Sequence, residues 1–518
     1  MKFIIGKDRD QLEFYSLEGA IDPDNEVRLI DLFAGSLNLG EYGFRTEFVD
    51  NGRPAYHPSE LLRLYIYGYL NRIRSSRHLE KECKRNIEVM WLMHGLIPDH
   101  NTIANFRKDN FNAIKKVFRA TVQLAQHFEL IGGKLIAGDS TKLRAQNSKK
   151  NNFNPKKIER HIAYIDAKLE EYNQVLASED GENTLKEEAR QKIKQHLSNK
   201  ENYLQMQQQL EESGETQIST SDTDSRQLIT RNNITEVGYN VQSSVDAKHN
   251  IPIDFKVSNE NDSKAMGSMV RRAKTILETS DFIALYDKGY HTGTEFDYAH
   301  KHGVEVLVAI PAVASHAPDT AFDVEQFKYD REKDEYTCPA GQKLPTNGNR
   351  YNKAHGKTIN RVKHYKTKAC LSCELLNRCT KNKDGRLIER SEHQNLIDDN
   401  KKRINENLPL YRKRQAIVEH PYGVIKRQWG FYYIMSKQGI NRATADVGLI
   451  FTAYNLRRIF NIIDKKELQE YLRKLFSCFL WIKSLQKPFL THISLQKPTK
   501  LFCIKIMIFN YPLLNPVF

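Results

Sequence analysis

Cysteine is scarce in this chain, and long uninterrupted apolar runs are scarcer still. Seven cysteines in 518 residues are too few for a disulfide scaffold. Four of them crowd into one short region: Cys338, Cys370, Cys373 and Cys379. This cysteine usage indicates a protein of the reducing cytoplasm.

Targeting and membrane segments are also not evident. The N-terminus, MKFIIGKDRD, has only a four-residue apolar run before charges resume, which is far short of a signal-peptide core. The last stretch, LFCIKIMIFNYPLLNPVF, approaches membrane-span length, but Lys505, Asn510 and Pro512 interrupt it. We therefore predict no secretion and no membrane partner.

Acidic residues are outnumbered by basic ones. The chain has 79 Lys and Arg against 64 Asp and Glu, which gives a formal net charge of +15 and a pI of about 9.2. This excess favours a polyanionic partner such as nucleic acid. A merely basic soluble protein would show the same excess, so the functional interpretation has to come from a site.

The first part of the chain reads as helical. Between about Ile21 and Ile131 the apolar positions recur at three-and-four spacing, and Pro58 supplies one helix start. After Pro98, the segment DHNTIANFRKDNF predicts a helix that Asp99 or Asn101 caps. This helix is either part of a helix-turn-helix in which Arg107 contacts DNA, or ordinary helical packing with solvated basic residues.

The middle of the chain alternates strands and helices. KLIAGDSTKLRA predicts a buried strand over 134–138 that ends on Asp139, and DFIALYDKGY predicts another that ends on Asp287. Between them, residues 221–258 read as an antiparallel meander and 263–279 as a helix; another helix and the strand VEVLVAI follow. This order predicts an α/β core with a mixed sheet.

Two insertions and a tail interrupt this pattern. Residues 155–213 are charged and Gln-rich with helical spacing, which predicts two helices broken at Glu179–Asn183. A polar segment at 322–391 carries the clustered cysteines. The tail beyond Lys466 contains the pentapeptide SLQKP twice and lacks amphipathic order, so we interpret it as an uninformative appended segment whose removal leaves folding intact.

Carboxylates that converge from separate elements can hold catalytic metal ions. Asp139 and Asp287 both stand at strand ends, and Mg²⁺ and Mn²⁺ prefer carboxylate oxygens. Glu419, in RQAIVEHPYGVIKRQWGF, supplies a third. Because proline is tolerated near a helix start, Pro421 predicts that Glu419 lies at or just before a helix N-terminus. Any one of these acids alone would more simply be a strand-end or capping residue.

Together, these segments resemble the bacterial insertion-sequence transposases with a DDE triad, in the branch that has a Tyr-Arg-Glu-Lys signature. The resemblance runs from about Ile21 to Phe460. It rests on PDHNTIANFRK, AGDSTKLRAQNSKK, GYNVQSSVDAKHN, YDKGY and VEHPYGVIKRQWGF. It implies a ribonuclease H-like core in which Asp139, Asp287 and Glu419 are the catalytic, metal-binding triad.

The resemblance also assigns the signature partners. Tyr411 and Lys426 match the family spacing, with two residues between Tyr411 and Arg414 and six between Glu419 and Lys426. Four residues separate Arg414 from Glu419 where three are usual, so either Arg412 or Arg414 fills the arginine position. If the segment is helical throughout, Arg412, Glu419 and Lys426 share one face.

The implied architecture divides the chain into five parts. These are a helical DNA-binding domain at 1–131, a first core segment at 132–321 with the helical insertion 155–213, a cysteine-containing insertion at 322–391, a second core segment at 392–465 with Glu419, and the tail at 466–518.

The implied activity is DNA transposition by two-metal-ion chemistry, in which hydrolysis at the element end is followed by strand transfer. The partners are double-stranded DNA of the terminal repeats and the target, with a homodimer expected on paired ends. Tyr411 is expected to contact DNA as a signature residue. The basic residues expected to contact DNA phosphates are Arg107, Lys142, Arg144, Arg412, Arg414, Lys426 and Arg427. Alternatives are another ribonuclease H-like nuclease without target joining, and a non-catalytic or degenerate DNA-binding remnant.

Two further patterns leave alternatives open. The clustered cysteines form CPAG…KACLSCELLNRC, which predicts either a four-thiolate zinc site or reduced cysteines packed without metal, with His355 and His364 as substitute ligands. Trp429 and the pair Tyr432 and Tyr433 could stack on bases at a distorted DNA end or belong to the core.

Overall fold

The computed structural model describes residues 16–47, 54–177, 183–229, 234–312, 317–355, 358–436 and 438–485, together with Asp10 and Phe14. The chain divides into two compact units, Met1–Phe128 with Ile434–Phe518, and Glu129–Tyr433. One boundary therefore differs from the prediction. Residues 434–465, which we assigned to the catalytic core, group instead with the N-terminal helices.

The first unit begins with short amphipathic helices, as the three-and-four spacing predicts. Pro58 opens one of them, and the Asp99 side chain caps another by accepting from the backbone N–H of Asn101 and Thr102. The helices are α1 (Glu26–Gly35), α2 (Leu39–Tyr42), α3 (Pro58–Leu70), α4 (Ser76–Arg85), α5 (Ile87–Leu92), α6 (His100–Asp109) and α7 (Phe111–His127).

The second unit is built on a mixed sheet, and its elements follow the predicted alternation. They are β1 (Leu135–Arg144), β2 (Asn152–Phe153), α8 (Pro155–Ala177), α9 (Asn183–Ser213), β3 (Ile218–Ser219), β4 (Arg226–Ile229), β5 (Thr235–Asp246), β6 (Ile251–Ser258), α10 (Met266–Leu277), β7 (Ile283–Tyr286), α11 (Gly293–Lys301) and β8 (Glu305–Val308).

Strand β1 lies between the antiparallel and the parallel parts of this sheet. It pairs antiparallel with β5 on one side and parallel with β7 on the other, and β7 pairs parallel with β8. Strands β4 and β6 both pair antiparallel with β5, so the predicted meander is confirmed. The prediction of an α/β core with a mixed sheet is confirmed as well.

The helical insertion leaves the sheet between β1 and β4. The short strands β2 and β3 pair at its base, and Phe153, Ile158 and Leu210 form a small core between α8 and α9. This matches the predicted helical pair at 155–213. Most of its predicted break, at 178–182, lies outside the described residues.

The cysteine-bearing insertion folds as an antiparallel sheet, which its polar sequence did not predict. The strands, in spatial order β13-β12-β11-β10-β9, pack around Phe327, Tyr336, Leu344, Tyr365 and Ile388. The elements are β9 (Lys328–Asp330), β10 (Glu335–Thr337), β11 (Lys343–His355), β12 (Thr358–Tyr365), α12 (Leu376–Cys379) and β13 (Ile388–Ser391).

Helices complete both units. The second unit ends with α13 (Gln394–Glu406) and α14 (Leu408–Gly423), followed by a π-helical turn at Val424–Gln428. The first unit resumes with α15 (Ile440–Ile462) and α16 (Lys465–Leu485). No helix in the described part of the chain has the length and apolar character of a membrane span.

The start of the tail is structural, contrary to our interpretation. Leu468 and Leu472 of α16 are fully buried, and the Tyr471 ring stacks on His127 with centroids 3.9 Å apart. The three-and-four spacing of these positions gives α16 an apolar face that packs on α1. The repeated SLQKP segments lie almost entirely outside the described residues.

The core of the first unit contains a charged cluster centred on Asp446 of α15. Arg74 donates to Asp446 Oδ2 at 2.5 Å, Tyr69 donates its hydroxyl proton to Oδ1, and Arg107 lies 3.5 Å from Oδ1. Burial raises the pKa of Asp446, but Arg74 and Arg107 lower it by more, so the pKa stays below its ordinary value.

This cluster changes the interpretation of Arg107, which we predicted as a DNA contact. Arg107 is only 6% exposed and donates to the Tyr69 hydroxyl at 2.9 Å and to the backbone oxygen of Arg74. A guanidinium that neutralises a buried carboxylate has no face left for a phosphate. Arg107 therefore holds helices together, which favours the packing alternative for its segment.

Candidate catalytic site

Two of the three predicted carboxylates lie side by side on adjacent parallel strands. Ala137 of β1 is the register partner of Leu285 of β7, and Asp139 and Asp287 each follow two residues later. Neighbouring strands are about 4.8 Å apart, so the two aspartates emerge at the same level of the sheet. The backbone thus brings together acids that are far apart in sequence.

Asp139 is held by contacts on both sides of its carboxylate. One oxygen accepts from the N–H of Ser140 at 2.7 Å, and Oδ2 accepts from Arg414 Nη1 at 3.1 Å. Burial raises the pKa of Asp139; Arg414 lowers it, and the charge of Asp287 raises it again, so that the pKa lies above its ordinary value. A carboxyl group with a perturbed pKa beside a second acid is typical of a functional site.

A close approach in the sheet fixes the position of Asp139. A Cβ atom at Gly138 would lie 2.0 Å from the Tyr286 ring, so only glycine fits immediately before Asp139. Tyr286 is fully buried and stacks at a tilt on Tyr290, with ring centroids 4.8 Å apart. These rings form an apolar floor under the two aspartates.

Helix α14 lies along β1 and contributes the signature residues to the same place. Besides Arg414, Tyr422 donates to the backbone oxygen of Asp139 at 3.0 Å, and Lys426 donates to that of Lys142 at 2.8 Å. Tyr411 donates to the backbone oxygen of Tyr286 at 3.1 Å. Arg414, rather than the exposed Arg412, is therefore the arginine that reaches the aspartates.

The local structure around Pro421 differs from our prediction. Pro421 lies inside α14 near its end, so Glu419 occupies the last turns of a helix and not its N-terminus. Proline removes only one intrahelical hydrogen bond, and the helix continues through Gly423 into the π-helical turn. That wide turn changes the helical spacing between Glu419 and Lys426. Arg412 and Glu419 are both exposed on α14, whereas the Lys426 side chain donates to the backbone oxygen of Lys142 on β1.

Glu419 is exposed, and its carboxylate accepts from Gln415 Nε2 at 2.9 Å. It stands three residues before Tyr422, so on the helix surface Glu419 lies next to the face of α14 that packs on β1. Among the described residues, no three His, Cys, Asp or Glu side chains form a set arranged to hold a metal ion. The structure thus brings Asp139 and Asp287 together and leaves Glu419 outside their contacts.

A carboxylate that the sequence did not single out also lies here. Asp262 accepts from Lys142 at 3.1 Å and from the side-chain amides of Asn240 and Gln242, both at 2.7 Å. Burial raises the pKa of Asp262, but Lys142 and these amides lower it below its ordinary value. Asp262 begins a short 3₁₀ turn, Asp262–Lys264, and does not stand at a strand end, so no apolar periodicity could have revealed it.

The predicted DNA contacts fall into three groups. Arg412 on α14 and Arg427 in the π-helical turn are exposed, and Arg144 is exposed at the end of β1 near Glu236. Lys142 is partly buried and paired with Asp262. Lys426, Arg414 and Tyr411 contact the protein itself.

The aromatic residues after α14 separate into two kinds. Trp429 is buried and meets Phe431 edge-on, with centroids 5.6 Å apart, so it belongs to the core. Tyr432 and Tyr433 are about half exposed, and the backbone oxygen of Tyr432 accepts from the N–H of Arg144. Only the two tyrosines are thus placed where a base could reach them.

The four clustered cysteines line one cavity in the second insertion and are not disulfide-bonded. Burial raises the pKa of Cys379; Arg386 lowers it, and the neighbouring Cys370, Cys338 and Cys373 raise it again, so that the pKa lies above its ordinary value. His364 lies elsewhere, stacked on Tyr351 with centroids 4.3 Å apart. The side chain of His355 is outside the described residues.

Two protein-family models match this chain. The model described as "Transposase domain (DUF772)" matches residues 15–109, and the model described as "Transposase DDE domain" matches residues 337–460. The second range includes the cysteines, Arg414 and Glu419, and excludes Asp139 and Asp287. Each model covers less than half of the chain, and both describe transposase domains.

The comparison with solved structures gives a distant alignment. Among solved structures, the piggyBac transposase in a synaptic complex with hairpin DNA aligns at 8% identity and a TM-score of 0.30, over 90% of this chain and 80% of that one. No curated protein matches the sequence. The interpretation of the site therefore depends on its own geometry and on the two family models.

Proposed function

We propose that this chain is a DNA transposase of the DDE class that cuts the ends of an insertion sequence and joins them to target DNA. The observation that carries the proposal is the pairing of Asp139 and Asp287 at one level of two parallel strands, with Arg414 joined to the first. Two family models that describe transposase domains cover the flanking helical and DDE regions. The ribonuclease H-like assignment of the core is part of this proposal and is supported by the mixed sheet.

The donor set fits a hard divalent cation such as Mg²⁺ or Mn²⁺. Asp139 and Asp287 offer carboxylate oxygens, which are the ligands that these ions prefer. Glu419 would be the third carboxylate of the set. When bound, such ions stabilise the attacking and leaving oxygens of a phosphodiester.

The protein's own residues would orient this chemistry. Arg414 fixes the Asp139 carboxylate and offsets its charge, while Tyr422 holds the backbone at the same residue. The reaction consists of two in-line displacements at phosphorus. In the first, a water oxygen replaces a 3′-oxygen at the element end; in the second, the freed 3′-hydroxyl attacks a target phosphodiester and releases its 3′-oxygen.

DNA would be positioned through its phosphates. Arg412 on α14, Arg427 in the π-helical turn and Arg144 at the end of β1 are exposed cations. Such contacts set the register of the duplex without reading its bases. A homodimer that pairs two element ends is part of the same proposal.

The proposal is tested by a cleavage and strand-transfer assay on the flanking terminal-repeat DNA. Wild type is compared with Asp139→Ala, Asp287→Ala and Glu419→Ala in Mg²⁺, Ca²⁺ and EDTA. The matched control is Asp281→Ala, because Asp281 precedes the same strand β7 but is 83% exposed and pairs with Lys134. We expect metal-dependent joining in wild type and in the control, and loss of joining with retained DNA binding in the other three.

The outcomes separate the alternatives. Cleavage without joining would favour another nuclease on this core. Binding without cleavage in wild type would favour a degenerate remnant, which the exposed position of Glu419 makes a concrete alternative. Cleavage that survives one substitution removes that residue from the triad.

A further inference from the structure

The cavity in the second insertion has a composition that packing alone does not explain. Four thiols face a space of about 30 Å³, together with the buried side chains of Phe327 and Leu344. One thiol comes from the turn between β10 and β11, and the other three come from the segment between β12 and β13. A ligand held by all four would therefore tie two separate parts of the sheet together.

The turn at Cys338 presents its sulfur to backbone donors. Gly341 N–H bonds to the oxygen of Cys338 at 2.9 Å, and Gln342 N–H points at Cys338 Sγ at 3.2 Å. Gly341 takes a φ of +81°, a conformation that favours glycine. These two hydrogen bonds fix the position of the Cys338 side chain at the edge of the cavity.

The segment that carries Cys370, Cys373 and Cys379 also folds back on itself. Cys370 and Cys373 lie in and just after a 3₁₀ turn at Lys368–Ser372, and Cys379 ends α12. Gly385, with a φ of +92°, packs against Cys370 so closely that a Cβ atom would lie 2.6 Å from Cys370 Cβ. The chain after α12 thus returns to cover the thiols.

A buried cation stands at the cavity without a carboxylate partner. Arg386 is 7% exposed, lines the cavity, and donates through Nη1 to the backbone oxygen of Cys379 at 3.2 Å. Its Nε has no hydrogen-bond partner. No Asp or Glu of the described residues forms an ion pair with it. A buried charge without an opposite charge is costly, so Arg386 indicates a negative group in this cavity.

We propose that Cys338, Cys370, Cys373 and Cys379 bind one structural Zn²⁺ ion, with Arg386 offsetting the charge of the ligand set. Four thiolates and one Zn²⁺ carry a net charge of −2, which matches the sign that Arg386 requires. The thiols face one cavity without already standing at ligand spacing, so binding draws them together and contributes to the folding of this sheet. His364 is not a ligand, since it stacks on Tyr351 and lies 3.7 Å from Glu389.

The first test is the metal content of the full-length protein purified without added zinc and dialysed against EDTA. We expect about one zinc per chain by elemental analysis, and loss of it in Cys370→Ser/Cys373→Ser. The matched control is Cys83→Ala, because Cys83 is a buried thiol in α4 that lies far outside this insertion in sequence. Zinc at background level in a folded wild type would overturn the proposal, as would zinc retained by the double variant.

A second measurement covers the case in which the cysteine variants do not fold. Wild-type protein exchanged with Co²⁺ should show the intense near-ultraviolet absorption of thiolate-to-cobalt charge transfer and the visible bands of a tetrahedral site. Arg386→Gln should keep the site but release zinc to a chelator faster than wild type. Cobalt spectra without thiolate bands would contradict the proposal. None of these measurements uses DNA, so failure here is separate from failure of the proposed transposase activity.

Discussion

Arg414 and Asp139 are 275 residues apart in sequence, yet they form an ion pair of 3.1 Å. The arginine side chain is 16% exposed and the aspartate side chain 23%, so water screens the pair only in part. Asp287 lies close enough to raise the pKa of Asp139. Arg414 is thus the cation that allows two acids to stand side by side.

Replacing Arg414 should therefore impair turnover more than DNA binding. For Arg414→Ala we expect cleavage of saturated complexes to fall about 10- to 100-fold, because groups that orient metal-binding carboxylates have effects of this size. Arg414→Lys should recover part of the loss, since lysine keeps the charge but not the planar fork. Single-turnover cleavage at saturating protein measures both.

Arg412 provides the comparison for this prediction. It is exposed and lies two residues away, so Arg412→Ala should weaken binding at higher salt and leave saturated cleavage almost unchanged. Lys402→Ala, at an exposed position of α13, is the neutral control. If Arg412→Ala lowers saturated cleavage more than Arg414→Ala does, the assignment of the signature arginine is reversed.

Gly138 is expected to tolerate no side chain. In Gly138→Ala the new methyl group meets the buried Tyr286 ring at 2.0 Å, and overpacking of this kind costs about 1–3 kcal/mol or more. Denaturant unfolding followed by circular dichroism should show a lower midpoint. Gly423→Ala is the control, because nothing lies within 4 Å of its added Cβ.

The same substitution should also displace Asp139. Pairing Gly138→Ala with Tyr286→Leu, which replaces the ring with a smaller aliphatic side chain, should restore part of the stability. A Gly138→Ala protein as stable as wild type would mean that Tyr286 can move without cost, and the floor beneath the aspartates would not be rigid.

The buried Asp446 should stabilise the helical unit in a pH-dependent way. Asp446→Asn leaves Arg74 and Arg107 without their anion, and breaking a buried pair costs about 3–5 kcal/mol. The pKa of Asp446 in the folded protein lies below its ordinary value of 3.8, so its contribution is present above that pH and is lost as the pH falls through the folded pKa.

Thermal unfolding from pH 7 down to acid checks both parts of this prediction. The melting temperature of Asp446→Asn should lie well below wild type at neutral pH, and the difference should narrow in acid. Asp109→Asn is the control, because Asp109 is 60% exposed. A difference that is the same at every pH would show that the ionised carboxylate is not what stabilises the unit.

The sequence was informative where local chemistry decides structure. The strand end before Asp287, the helix cap at Asp99 and the helical pair at 155–213 all depend on residues close in the chain, and each is present. The predicted strand end at Asp139 is wrong, because β1 continues to Arg144 through its pairing with β5 and Asp139 lies inside the strand. The mixed sheet could be predicted because apolar residues recur with different periods in strands and in helices. Asp139 and Asp287 are adjacent because β1 and β7 pair as neighbouring parallel strands.

What the sequence could not reveal depends on contacts between distant residues. Arg107 is a basic residue in a helix that could contact DNA, but it is buried against Asp446, which is 339 residues away. Asp262 begins a short 3₁₀ turn, and its place in the site comes from its hydrogen bonds with Lys142, Asn240 and Gln242. Pro421 suggested a helix start because proline disfavours helix interiors, but the packing of α14 on β1 outweighs that local cost.

Helix α16 supplies a last prediction, in which the structure reverses our expectation about the tail. Leu468 and Leu472 are fully buried, so Leu468→Ala and Leu472→Ala should each destabilise the protein by about 2–5 kcal/mol, and truncation after Lys466 should do so more strongly. Glu470→Ala, at an exposed position between them, should have little effect. Thermal unfolding of the four variants tests this. If the truncated protein melts like wild type, α16 does not contribute to the core of the helical unit, and the tail is an appendage after all.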